Sequence, residues 1–209
     1  MSARIVAGRR PASRSEAKAG GKSSEAKPAP PVTAAYLERV ALQYLERYSA
    51  SVAMLRQTLE RRVAKRCRLR DEEPAAFAET IAAIVERARS SGLVDDARFT
   101  AARAATLRRR GASARGLSAK LAAKGVDRML IAETLETERD EAEEEGTNAE
   151  EAAARAYAKR RRLGPFRRPD IRAAHRDKDL ASMARAGFSY GLAKTIVDAD
   201  PDEGFAGGA

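Results

Sequence analysis

The sequence predicts an all-α protein made of three tandem three-helix, helix-turn-helix-like repeats in an extended, curved array. Three observations carry that expectation. Apolar residues recur at helical spacing between Tyr36 and Val197. A stop-apolar-cap signal returns along the chain: Gly92-Leu93-Val94-Asp95 before Phe99, Gly125-Val126-Asp127 before Ile131, and Gly187-Phe188-Ser189 before Ala193. Finally, Leu121 to Asp127 lies over Met183 to Ser189 with matching apolar, stop, staple and cap positions, and the spacing onward to Leu135 and Val197 is equal.

Residues 1–32 are rich in Ala, Gly, Ser, Pro, Lys and Arg and end in Pro28-Ala29-Pro30-Pro31. Such a stretch buries too little apolar area to offset its ordering entropy, so it reads as a disordered basic arm. The arm either adds nonspecific affinity for nucleic acid or serves as a solubilising tail.

The first repeat spans 33–94. Thr33 caps a helix whose stripe is Tyr36, Leu37, Val40, Ala41, Tyr44, Leu45 and Tyr48. Ser51 caps a second helix with Met54, Leu55, Leu59 and Val63 inward and Arg56, Arg61, Arg62, Lys65 and Arg66 outward. Pro74 opens a third, with Phe77, Ile81, Ile84 and Val85 as its stripe and Gly92 as its stop.

The second repeat spans 95–146. Asp95 caps a helix running to about Arg110, with Val94 and Phe99 closing as a hydrophobic staple and Phe99, Ala102, Thr106 and Leu107 inward. Arg103 falls in the middle of that stripe, where its stem lies along the core with the guanidinium reaching out, or where it faces a groove between repeats. Gly111 stops the helix, Ser113 caps the next with Leu117 and Leu121 inward, and Asp127 caps the third with Leu130, Ile131 and Leu135. That last helix runs into an acidic patch from Glu136 to Glu145, a solvated helix end or a surface for basic groups.

The third repeat spans 147–199. Thr147-Asn148-Ala149-Glu150 reads as a capping box before a helix with Ala152, Ala156 and Tyr157 inward. Gly164-Pro165 ends it, Asp177 or Asp179 starts the next with Leu180, Met183 and Ala184 inward, and Ser189 caps the last, with Leu192, Ile196 and Val197. Residues 200–209 read as a flexible tail.

Formal net charge is +10 over 209 residues, which makes an anionic partner the first functional expectation. Aromatics are 5% and Trp is absent, so Ala and Leu must supply thin helix–helix contacts. No apolar run approaches the roughly 20 residues of a membrane span, and Met1 to Arg10 lacks the apolar region of a secretory signal, so no membrane association is expected. Cys67 stands alone between Arg66 and Arg68, which excludes a disulfide within the chain and fits a reducing cytosol. Its basic neighbours could activate the thiol, but an incidental thiol on a helix is the favoured reading. With His175 the single histidine, no metal set assembles. There is no glycine-rich phosphate loop and no Cys–His pair, and Asp95 with Asp96 is explained by its helix start, so neither catalysis nor a cofactor is expected.

The charge is distributed unevenly. Between Asp96 and Asp127 lies no acidic residue but Arg98, Arg103, Arg108, Arg109, Arg110, Arg115, Lys120 and Lys124. A second acid-free window from Ala152 to Arg168 holds Arg155, Lys159, Arg160, Arg161, Arg162, Arg167 and Arg168. Merely soluble helices mix signs, so such windows point to surfaces that meet phosphates or carboxylates. Cations at a helix C-terminus also gain about 0.3–1 kcal/mol from the dipole, which accounts for part of the clustering.

The run Gly92-Leu-Val-Asp-Asp-Ala-Arg-Phe99, then Arg108-Arg-Arg-Gly111, then Leu121-Ala-Ala-Lys-Gly125-Val126 resembles the central repeat of the RecX regulatory family. The Ser51 to Leu59 helix and Arg185-Ala-Gly187-Phe188 resemble that family's first and last repeats in order, so the likeness covers about Tyr36 to Val197. Departures are Arg103, where an aromatic is common, Leu107, where Arg is common, and the longer basic arm. The resemblance implies a bacterial, cytoplasmic, non-enzymatic modulator of the RecA recombinase, and a monomer is expected. Such proteins lie along the groove of the RecA–DNA filament, on single- or double-stranded DNA, and restrain its extension, ATP hydrolysis, strand exchange and role in SOS induction. The contact candidates are Arg98, Arg108, Arg109, Arg110, Arg115, Lys120, Lys124, Arg160, Arg161 and Arg162. A general basic DNA-binding protein or helix-turn-helix regulator is the alternative that charge alone supports.

Overall fold

Side-chain caps start most of the helices in a computed structural model that describes residues 30–200. Most of the basic arm and residues 201–209 lie outside the described residues, although Val32, grouped with the arm by composition, is buried in the first core. The first unit holds α1 (Ala34–Leu45), α2 (Val52–Arg68) and α3 (Ala78–Ser90), the last preceded by a 3-10 turn at Pro74–Phe77. The second holds α4 (Asp96–Arg109), α5 (Ala114–Ala122) and α6 (Arg128–Glu144). The third holds α7 (Ala149–Arg161), α8 (Pro169–Arg185) and α9 (Tyr190–Asp198), with a 3-10 turn at Gly164–Phe166. The described residues contain no strand.

Thr33, Ser51, Asp95, Ser113, Asp127 and Ser189 each accept a backbone N–H from the first turn of the helix they precede, as the sequence predicts. At α7 the cap is Asn148 rather than Thr147. Its Oδ1 takes the N–H groups of Glu150 and Glu151, while Thr147 donates to Ala142 O. Glu150 cannot close a capping box because its carboxylate points into the preceding unit, where it accepts Ala114 N–H.

Each unit encloses its own core. Leu37, Leu55, Leu59, Val63, Ile81 and Val85 pack in the first, and Phe99, Leu107, Leu117, Leu121 and Ile131 in the second. Ala153, Ala158, Met183, Ile196 and Val197 pack in the third. Val94 and Phe99 do not close on each other as a staple, because Val94 sits in the first core and Phe99 in the second. Val94 instead returns its N–H to Ala88 O at 3.1 Å, ending α3. Asp95 thus stands where the chain leaves one core for the next.

Several predicted faces are rotated. In α4 Thr100 and Ala104 are buried while Ala102 is exposed. Thr100 can enter the core because its hydroxyl donates to Asp96 O at 2.6 Å. In α7 the inward alanines are Ala153, Ala154 and Ala158 rather than Ala152, and in α8 Ala184 faces out. Tyr48 lies past the end of α1 and is 57% exposed, its ring stacked at a tilt on Tyr44. α8 begins at Pro169, not at Asp177 or Asp179, because Pro at N1 is preorganised for the first turn. Cys67 is buried in the first core; burial first, then Glu72 and Glu73, pushes its thiol above the usual range, so it is not activated by its basic neighbours.

The units are joined by one device used twice. Ser51 Oγ donates to Lys124 O at 2.5 Å, and Ser113 Oγ donates to Ala186 O at 2.6 Å, both across 73 residues of chain. Alongside, Val52 N–H reaches Asp96 Oδ1 at 2.8 Å, and Ala114 N–H reaches Glu150 Oε2 at 2.9 Å. In both cases the N-terminus of a unit's second helix, with its orphan N–H groups, docks on an acidic first turn and on the carbonyl end of a helix in the next unit. The approach is close enough to dictate glycine. A Cβ on Gly125 would lie 2.3 Å from Ala53 Cβ, and one on Gly187 would lie 2.6 Å from Ser113 Oγ. In the first unit the corresponding positive-φ position after α2 is Asp71.

Candidate functional site

The junction between the second and third units gathers cations from four helices. α4 ends at Gly111, whose φ of 74° lets the chain turn away. A Cβ there would lie 2.4 Å from Tyr157 N, so α7 crosses directly over the end of α4. The Ser113–Ala186 hydrogen bond then draws the end of α8 to the start of α5. Between these elements runs an open groove of about 800 Å³, lined by Arg103 and Arg110 from α4 and its end, Lys120 from α5, Arg160 and Arg161 from α7, and Arg185 from α8. No aspartate or glutamate lines it. Tyr157 forms part of its wall, its hydroxyl 3.2 Å from Ser182 Oγ and its ring 5.8 Å below the Arg160 guanidinium.

These six side chains are exposed, and none forms an ion pair with another described residue. Of the other cations in the same two units, Arg139, Arg155, Arg167, Arg168 and Arg176 each meet a carboxylate, whereas Arg98, Arg109, Arg115 and Lys124 meet none among the described residues. Like charges crowded within a Debye length of about 8–10 Å repel one another, and a polyanion laid in the groove relieves that repulsion.

Arg108 behaves differently from its neighbours. Its side chain is only 13% exposed. Nε lies 2.9 Å from both Glu138 oxygens, and Nη1 donates to Ala112 O at 3.0 Å and to Glu150 Oε2 at 2.5 Å. One guanidinium therefore fastens α4 to α6 and to α7, beside a second groove that carries Glu136, Glu138, Glu143 and Glu150. The junction is polarised, with carboxylates around Arg108 and unpaired cations in the groove that Arg110 lines.

The other sequence candidates are scattered. Arg98 donates to Gly92 O at 3.1 Å at the start of α4, and Arg109 to Thr106 Oγ1 at 3.3 Å. Arg115 lies beside Gly187, and Arg162 holds the left-handed position that ends α7 at φ 55°. Lys124 lines the groove between the first and second units, where Arg56 and Arg61 are mixed with Glu60 and Asp96. Of the ten candidates, Arg110, Lys120, Arg160 and Arg161 are brought together, and Arg103 and Arg185 join them. For Arg103 the groove reading was one of two that its stripe position allowed. Arg185 is a single cation in a mixed-charge helix, with no sequence signal to mark it.

The RecX second three-helix domain model matches residues 95–135, which covers α4, α5 and the start of α6. The regulatory protein RecX of Myxococcus xanthus is 37% identical over 171 residues, spanning 81% of this chain and 88% of that protein. The chain belongs to the RecX family. The regulatory protein RecX of Agrobacterium fabrum is 28% identical over 110 residues, spanning 53% of this chain and 54% of its own length. No solved structure matches. As a RecX protein the chain is a regulator, and among its described residues no helix is long and apolar enough to cross a membrane.

Proposed function

We propose that this RecX protein is a negative regulator of the RecA recombinase. It binds as a monomer in the groove of the RecA–DNA filament in the bacterial cytoplasm, and it limits filament extension, ATP hydrolysis, strand exchange and SOS induction. It acts by binding, without catalysis or cofactor. The single observation carrying this reading is the similarity to a RecX regulatory protein across 81% of the chain, far beyond one repeat. The repeat array supports it, because units joined by the same contacts suit an extended, repetitive partner. Arg110, Lys120, Arg160 and Arg161 serve as contacts, along with exposed Arg98, Arg109, Arg115, Lys124 and Arg162 on neighbouring surfaces. Arg108 is held by Glu138 and Glu150 and supports the others from behind. Titrating the purified protein into RecA assembled on single-stranded DNA should slow ATP turnover at substoichiometric ratios. Unchanged turnover, together with tight binding to naked duplex, would make the chain a general DNA-binding protein instead.

A further inference from the structure

The groove lined by Arg110 differs from the groove between units one and two in one respect: its charges are all of one sign. The groove between units one and two mixes Arg56, Arg61 and Lys124 with Glu60 and Asp96. Its counterpart between units two and three has Arg103, Arg110, Lys120, Arg160, Arg161 and Arg185 and no acid. We propose that this cationic groove is a binding cleft for the phosphodiester backbone of nucleic acid, with three cations supplied by each unit so that the bound backbone bridges the two. The proposal rests on the regulatory reading for its biological setting and assigns the site at which that regulator meets DNA.

Five of the six cations are arginines, whose planar forks grip phosphate oxygens in bidentate fashion. None is held by a carboxylate of a described residue, so no internal ion pair must break before a phosphate enters. The polar lining other than these cations is Tyr157 and Ser182, and the two are engaged with each other. The groove therefore offers charge with little to read base edges, and binding should be tolerant of sequence. The groove beside Arg108 sets Glu136, Glu138, Glu143 and Glu150 against Arg108 and Arg139, an acid excess that leaves the cationic groove favoured by a polyanion.

The test uses the full chain and a fluorescein-labelled oligothymidylate of about 20 nucleotides, with a duplex of equal length as the second arm, followed by anisotropy across a salt series. Replacing Arg103 and Arg185 together by Ala removes one cation from each unit at exposed, unpaired positions, and circular dichroism checks that helix content is retained. The double variant should bind single strands about tenfold more weakly near 0.1 M salt. Its salt slope should fall by about 1.4, since each contact to a single strand contributes roughly 0.7. A similar loss on the duplex would extend the cleft to either form, whereas loss on the oligothymidylate alone would assign it to single strands. Arg103→Lys with Arg185→Lys should restore the slope, and Arg39→Ala with Arg62→Ala, both exposed on the first unit and outside the groove, should shift affinity less than twofold. An unchanged isotherm and slope for R103A/R185A overturns the proposal. If that variant keeps its DNA affinity but no longer slows filament ATP turnover, the groove serves protein carboxylates. The cleft assignment then falls while the regulatory reading stands. If wild-type protein leaves turnover unchanged but R103A/R185A loses the oligonucleotide, the reverse holds.

Discussion

Asp179 holds the turn that leads from α7 into α8. Its carboxylate is 2% exposed, accepts Gly164 N–H at 2.9 Å, and binds Arg167 at 2.6 and 3.0 Å. The same hydrogen bonds push the Arg167 guanidinium further up its already high range. Removing one partner of a buried pair costs about 3–5 kcal/mol, because the other is left without compensation. Asp179→Ala should therefore lower urea stability by about that amount, somewhat less if water reaches Arg167. Asp170→Ala, which breaks the exposed pair with Arg168, should cost under about 1 kcal/mol. Equal losses in the two variants would show that Asp179 is no more than a surface charge. The sequence around Asp179 resembles a helix start, and only the long-range partners Gly164 and Arg167 reveal that it lies mid-helix.

At the scale of elements, the helix-two serines perform two tasks at once. Ser113 accepts Gly116 N–H at 3.0 Å as an N-cap and donates to Ala186 O across the junction, whereas Ser189 caps α9 and has only the first task. Losing a cap costs about 1 kcal/mol, and stranding a part-buried carbonyl about 1 kcal/mol more. Ser113→Ala should thus cost about 2 kcal/mol in chemical denaturation and Ser189→Ala about 1, and indistinguishable midpoints would sink the junction role. Caps and stops were legible in the sequence because they are local: a cap residue, an apolar neighbour and a glycine at fixed offsets. Helix faces were less so in α4, α7 and α8, where alanine occurs on every side and the pattern does not say which alanine meets a neighbour. Thr100 was hidden for a related reason, since its polarity masks a hydroxyl already satisfied within the helix. The site was legible as two charged windows, but not as one groove, because Arg103, Arg185 and the inward turn of Arg108 depend on how units meet.

The whole molecule depends on how firmly the second and third units are held, and Arg108 reaches across alongside Ser113 and Glu150. It bonds Glu138 of α6, Glu150 of α7 and Ala112 O, while Glu150 also receives Ala114 N–H. Since the cationic groove draws three of its charges from each unit, its width is set by this clamp and by the Ser113 bond beside it. Arg108→Met keeps the stem and removes the charge, leaving two partly buried carboxylates facing each other. The cost to stability should be about 1–3 kcal/mol, below the fully buried case because Glu138 and Glu150 retain some exposure. The more telling effect is geometric. Spin labels at exposed Ala101→Cys in α4 and Ala181→Cys in α8, in a Cys67→Ala background, should show a single narrow distance distribution with Arg108 present. The Arg108→Met variant should broaden it, and oligonucleotide added to that variant should narrow it again if the backbone bridges the units. A distribution unmoved by the substitution would mean that packing of Gly111 on α7 alone fixes the angle, and that Arg108 contributes only local stability.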